Sequence, residues 1–150
     1  MEQLILAIDL MHRKGYIHRD IKPDNILLID RKELKICISD LGLACRTDDQ
    51  LEIKLKCGTP GYVAPEVLKG SNFTTKADVF SIGSFFFNLL TGKNLFQGRN
   101  GKEMLIANKF SNPYPTICMN VQGVSNECKH LLQWMIQVNA EQRPTAEQCI

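Results

Sequence analysis

From Asp78 to Leu90 the chain is apolar on nearly every side, and a helix of that kind has no face suited to water. It predicts a buried central helix with the rest of the chain wrapped around it. Thr75 is a candidate cap for this helix, with Asp78 three residues on. A chain of 150 residues is long enough to build such a core within one domain. The longest apolar run, Ile82 to Leu90, is too short to cross a bilayer and is broken by Gly83, Ser84 and Asn88. Glu2 and Asp9 argue against a secretory leader, which predicts a cytoplasmic protein. Lys and Arg number 18 against 16 acidic residues, a net charge of +2, so no electrostatic footprint for nucleic acid or a membrane surface is expected.

Residues 1–14 predict an amphipathic helix with Leu4, Ile5, Ile8 and Met11 inward, stopped at Gly15. Ile26 to Ile29 and Leu34 to Ser39 predict the strands of a hairpin, turned at Asp30 to Glu33. Residues 41–63 read as a long loop, and long loops in compact domains are usually functional. Further helices are expected at Pro65 to Lys69, 101–109, 125–138 around Trp134, and from a capping box at Thr145. The six cysteines have no C-x-x-C pair, which predicts free thiols in a reducing compartment. The fold class is α+β, mainly α-helical, with one small hairpin.

Chemistry-bearing residues concentrate just before and just after that hairpin, in His18-Arg19-Asp20-Ile21-Lys22-Pro23-Asp24-Asn25 and in Asp40-Leu41-Gly42. Antiparallel pairing sets the start of one strand beside the end of the other, with Cα atoms roughly 5 Å apart. Asn25 opens the first strand and Asp40 closes the second, so an amide oxygen and a carboxylate come together. Two hard oxygen ligands with room for water and phosphate suit Mg²⁺. Asp20, on the same loop, is left to orient a hydroxyl and accept its proton, and Lys22 can set a positive charge against a transferring phosphoryl group. Each residue alone has a plainer role: a turn aspartate, a solvated lysine, a capping asparagine, a satisfied core histidine.

The joint pattern H-R-D-x-K-x-x-x-N, a hairpin, then D-x-G resembles the eukaryotic protein kinase family. Ala64-Pro65-Glu66, Asp78-Val79-Phe80-Ser81-Ile82-Gly83 and Arg143 before Pro144 continue the likeness in order, with Phe80 where the family has Trp. The resemblance implies a protein-kinase-like C-terminal lobe over residues 1–150, with catalytic loop 18–25, activation segment 40–66 and C-lobe helices 75–150. It implies ATP and Mg²⁺ as cofactors and a protein or peptide with Ser or Thr as substrate, the hydroxyl class following from Lys22 and Gly58-Thr59-Pro60-Gly61-Tyr62. By the same resemblance Asp20 is the catalytic base, Lys22 contacts the transferred phosphoryl and Thr59 helps position both. Asn25 and Asp40 hold the metal, and Leu27 lies beneath adenine or is simply strand core. Asp78 anchors the catalytic-loop backbone, and Glu66 pairs with Arg143.

Departures from the family pattern carry their own expectations. Leu41 replaces Phe in Asp-Phe-Gly and is expected to pack on His18 all the same. Arg19 would grip an activation-segment phosphate, yet residues 48–58 hold no Ser, Thr or Tyr, so Asp48, Asp49 or Glu52 is a candidate substitute anion. No G-x-G-x-x-G precedes His18 and no V-A-I-K strand is present. The expectation is therefore a fragment without its N-terminal lobe, exposing apolar surface where that lobe would sit and barely active alone. A non-catalytic kinase-like binding module is the alternative. A metal-dependent hydrolase built on Asp20, Asn25 and Asp40 leaves Glu66, Asp78 and Arg143 without a role.

Overall fold

In the computed structural model, which describes residues 1–150, helix α1 spans Glu2–Arg13 and turns Leu4, Ile5 and Ile8 inward. Gly15 ends it at φ 78°, a left-handed conformation open to glycine, and its N–H donates to His12 O at 2.9 Å. Strand β1 (Tyr16–Ile17) follows, then the hairpin of β2 (Ile26–Asp30) and β3 (Lys35–Ile38). The hairpin pairs antiparallel with Ile26 opposite Ile38. Asp30 Oδ1 shapes its turn by accepting from Lys32 N–H at 2.7 Å and Glu33 N–H at 3.1 Å. Gln3 of α1 ties the hairpin down, accepting from Ile36 N–H at 3.1 Å.

The hairpin rests on the body through Ile26, Ile36 and Ile38, while Leu27, Leu28 and Ile29 face out. The reading of Leu27 as strand core is therefore corrected, for it is 48% exposed. The segment 41–63 is less bare than its sequence predicts. Strand β4 (Cys45–Arg46) pairs with β1, and Glu52–Lys54 forms a 3₁₀ turn.

The remaining helices are α2 (Pro65–Leu68), α3 (Thr75–Thr91), α4 (Gly101–Phe110), α5 (Tyr114–Asn120) and α6 (Asn126–Met135). Helix α3 is the predicted central helix, buried without a break from Ala77 to Phe85. Its Ala77, Phe80 and Phe87 belong to one apolar cluster with Ile17, Ile53, Val63, Phe96, Ile117 and Leu132. Its Val79, Ile82 and Phe85 belong to a second with Leu4, Ile5, Ile8, Ile21 and Met135. One helix thus forms the wall between two cores. The result is a mainly helical α+β fold with two small antiparallel sheets.

Several boundaries differ from expectation. Thr74, not Thr75, sits at the cap of α3 and makes no side-chain bond there, and Asp78 commits its carboxylate to the loop at His18 and Arg19. Helix α6 stops at Met135, well short of residue 138, and Trp134 lies 41% exposed. The Thr145 box does close, with Thr145 N–H donating to Gln148 Oε1 at 2.9 Å and Gln148 N–H to Thr145 Oγ1 at 3.2 Å, but on a single 3₁₀ turn. Helix α5 has no counterpart in the sequence reading. All six cysteines are unpaired, and no helix is long and apolar enough to cross a membrane.

Close approach of α3 to α6 depends on Gly83. A Cβ there would stand 2.6 Å from Ile136 Cγ2 and 2.9 Å from Met135 Cβ. Gly83→Ala is expected to destabilise the protein by about 1–3 kcal/mol through overpacking. Urea unfolding checks this, and an unchanged midpoint would mean that α6 yields freely.

Candidate active site

The loop after β1 is fixed from below by Asp78. This carboxylate is fully buried in the first turn of α3 and accepts three hydrogen bonds. His18 N–H donates to Oδ2 at 2.8 Å, Arg19 N–H to Oδ1 at 2.9 Å, and His12 Nε2 to Oδ2 at 2.9 Å. Arg19 takes φ 69°, a strained conformation for a non-glycine residue, and the two loop bonds hold it there. His12 was not singled out in the sequence. Its signal was its place on the α1 stripe, seven residues after Ile5.

Asp20 projects from this loop and meets two partners. Thr59 Oγ1 donates to Asp20 Oδ1 at 2.6 Å, Lys22 Nζ contacts Asp20 Oδ2 at 2.7 Å, and Lys22 Nζ also donates to Thr59 Oγ1 at 3.2 Å. The three side chains close a triangle. Burial pushes the Asp20 carboxyl up, but bonds from Lys22, Thr59 and Asn25 outweigh it and hold the group below its usual range. The bond to Asp20 keeps the Lys22 ammonium charged above the usual lysine range. Nearby, burial pushes the Cys57 and Cys45 thiols up, which makes them poor nucleophiles at neutral pH.

Asn25 is buried and donates through Nδ2 to Asp20 O at 2.8 Å and Asp20 Oδ2 at 3.2 Å. Its Oδ1 is left as the uncommitted end. Across the hairpin, Ser39 N–H donates to Asn25 O at 2.8 Å, so Asp40 follows one residue beyond Asn25's backbone partner. Asp40 is exposed at φ 58°, its Oδ1 accepting from Gly42 N–H at 3.0 Å. An amide oxygen and a carboxylate oxygen, both hard donors, are the ligand types that Mg²⁺ takes alongside water and phosphate.

Arg19 is gripped at its other end. Its guanidinium donates to Leu43 O at 2.5 Å and to the carbonyl and the Oε2 of Glu52, the latter at 2.8 Å, and lies 5.6 Å from the Phe73 ring centroid. Of the three candidate anions, Glu52 alone reaches it. Asp48 pairs with Arg46, and Asp49 accepts from the N–H groups of Leu51 and Glu52. Glu66 and Arg143 form a two-pronged pair at 2.7 and 3.1 Å, with the Arg143 side chain fully buried and 4.9 Å from the Phe80 ring centroid.

Two sequence expectations fail here. Leu41 does not retreat onto His18; it is 59% exposed and lines a groove of about 530 Å³ with Leu10, Met11, Tyr16 and Ala44. Nor is His18 a satisfied core histidine. Its Nδ1 accepts from Asp20 N–H at 3.3 Å, while its buried Nε2 has no partner.

The chain matches the family model described as the protein kinase domain over residues 1–150. It is 36% identical to a probable serine/threonine-protein kinase 2 of Plasmodium falciparum (isolate K1 / Thailand), over 100% of this chain and 29% of that protein. The liver/testis gamma catalytic chain of phosphorylase b kinase from Mus musculus is 33% identical over 100% of this chain and 38% of its own length. The serine/threonine-protein kinase AtPK2/AtPK19 of Arabidopsis thaliana is 33% identical over 94% of this chain and 28% of its own. The chain thus spans between 28% and 38% of the length of these curated relatives.

A carboxyl whose folded value is depressed stabilises the fold fully above its ordinary range, about pH 4, and the gain disappears as pH falls through the lower folded value. Asp20 is such a group. In Thr59→Ala one of the bonds that depress it is gone, so Asp20 is expected to titrate at a higher pH in an NMR titration. An unchanged value would mean that Thr59 does not stabilise the carboxylate.

Proposed function

The chain belongs to the protein kinase family, and on that premise we propose that it is the large lobe of a serine/threonine protein kinase, with Asp20 addressing the acceptor hydroxyl. The closed triangle of Asp20, Lys22 and Thr59 beside Asn25 carries this reading. A carboxyl held below its usual range stays ionised at neutral pH. It orients the incoming O–H and takes its proton late, when the hydroxyl oxygen has become acidic. Thr59 and Lys22 hold one Asp20 oxygen each, which fixes the direction of the remaining lone pairs. Lys22, 2.7 Å from the same carboxylate, would offset negative charge developing on a phosphoryl group.

Asn25 and Asp40 are the residues that would hold magnesium, and Leu27, exposed on β2, would lie beneath adenine. Magnesium-bound ATP, when present, supplies the phosphoryl group. The groove at Leu10, Met11, Tyr16 and Leu41 is apolar surface that a small lobe packing against this one would cover. In this reading Glu52 serves Arg19 as the anion that a phosphate would otherwise provide, and it keeps segment 40–66 against the catalytic loop.

The test is phosphotransfer to a serine peptide by the intact protein. Asp20→Asn is expected to lower kcat by about 10²- to 10⁴-fold. Undiminished turnover in that variant would overturn the assignment. Glu52→Gln leaves Arg19 without its counter-charge and is expected to lower kcat in the same assay, while unchanged kcat would remove Glu52 from the mechanism. Glu66→Ala strands the buried Arg143 charge and is expected to cost about 3–5 kcal/mol in denaturant unfolding.

A further inference from the structure

Four backbone groups between Gly61 and Val63 are held by side chains from two helices. Gly61 N–H donates to Asn108 Oδ1 at 2.9 Å, and Asn108 Nδ2 donates to Val63 O at 2.8 Å. From the other side Ser84 Oγ donates to Gly61 O at 2.6 Å and Ser81 Oγ to Tyr62 O at 2.9 Å. Asn108 lies on α4 and is 1% exposed. A buried carboxamide is costly unless both ends are bonded, and here both ends bond to this segment. Met104, one turn earlier on α4, also presses on it: a Cβ on Gly61, which sits at φ 90°, would stand 3.0 Å from Met104 Sδ.

The same segment reaches Asp20. The N–H groups of Tyr62 and Val63 fold back onto Thr59 O at 3.0 and 3.1 Å. Thr59 then bonds Asp20 at 2.6 Å. Residues 59–63 are therefore one tight loop with Asp20 at one end and Asn108 at the other. Thr59 stands 2.6 Å from Asp20, so a peptide whose hydroxyl meets Asp20 has its neighbouring residues, each spanning only about 3.3 Å when extended, within reach of this loop. The shape of the loop sets where those neighbours rest.

Resting on the reading of Asp20 given above, we infer that Asn108 is a positioning residue for the peptide substrate. It acts through Gly61 and Val63 and touches no reacting atom. The nucleotide side of the site hangs on Asn25 and the β2–β3 hairpin, and Asn25 meets the loop 59–63 only by way of Asp20. Loosening Asn108 therefore separates the two substrates: the peptide is felt, ATP is not.

The experiment is steady-state kinetics of the intact protein with magnesium-ATP and a serine peptide, in two variants. Asn108→Leu keeps the branched outline, with bulkier methyl groups, and removes both bonds. Asn108→Asp keeps the acceptor for Gly61 N–H and removes the donor to Val63 O. The peptide KM is expected to rise about tenfold in Asn108→Leu and to rise also in Asn108→Asp, with the ATP KM unchanged in both. Amide exchange at Gly61 quickens in Asn108→Leu while α3 and α6 keep their protection. If Asn108→Leu does not fold, Asn108→Asp decides. A merely structural role would lower the active fraction, and so kcat, with both KM values kept; that result overturns the inference. An active unmutated protein with unchanged peptide KM in the variants overturns this inference alone. No phosphotransfer by the unmutated protein overturns the kinase reading and this inference with it.

Discussion

One carboxylate at the foot of the central helix organises everything above it. Asp78 is a charge without any access to water, and such a charge persists only when donors surround it. His18, Arg19 and His12 supply them from the loop and from α1. The exchange runs in both directions. The donors make the buried charge tolerable, and the charge makes the left-handed turn at Arg19 tolerable. Asp20 takes its direction from that turn, so the position of the proposed base is set by a residue that never meets substrate.

Two arginines then carry this order across the chain. Arg19 reaches 33 residues forward to Glu52, and Arg143 reaches 77 residues back to Glu66. Both guanidinium groups are shielded from water and both also bond backbone carbonyls: Leu43 and Glu52 for Arg19, Gln137 and Lys76 for Arg143. The fork geometry of arginine allows one side chain to satisfy a carboxylate and a carbonyl together. Phe80, stacked 6.1 Å from Phe96, lies under Arg143 and joins the ion pair to the core. The segment between Asp40 and Glu66 is thereby fastened near its middle and at its end.

Much of this was legible because the residues involved recur at rigid spacings. The all-round apolar run around Phe80 could only be a buried helix, and the hairpin brought Asn25 beside Ser39, one step from Asp40. What stayed hidden has local causes. Helix α5 begins at Tyr114-Pro115, after Pro113, and a proline cluster reads as loop although proline is tolerated in a first helical turn. Leu27 looked like strand core because an unbroken apolar run does not say which face is covered. Leu41 was assigned a contact by likeness to Phe, but no neighbour among residues 1–150 covers it. Asn108 gave no sign at all. A single polar residue in a short helix looks like surface until tertiary structure turns it onto a loop 45 residues away.

The link between Glu52 and Arg19 differs in kind from one made by a modified side chain. Its anion is encoded in the chain, so no esterase can strip it and no donor has to be consumed to install it. Such a fastening is present from the moment the segment folds. Salt screens it, since the Glu52 end is partly exposed, and control by turnover of an added group finds no purchase on it.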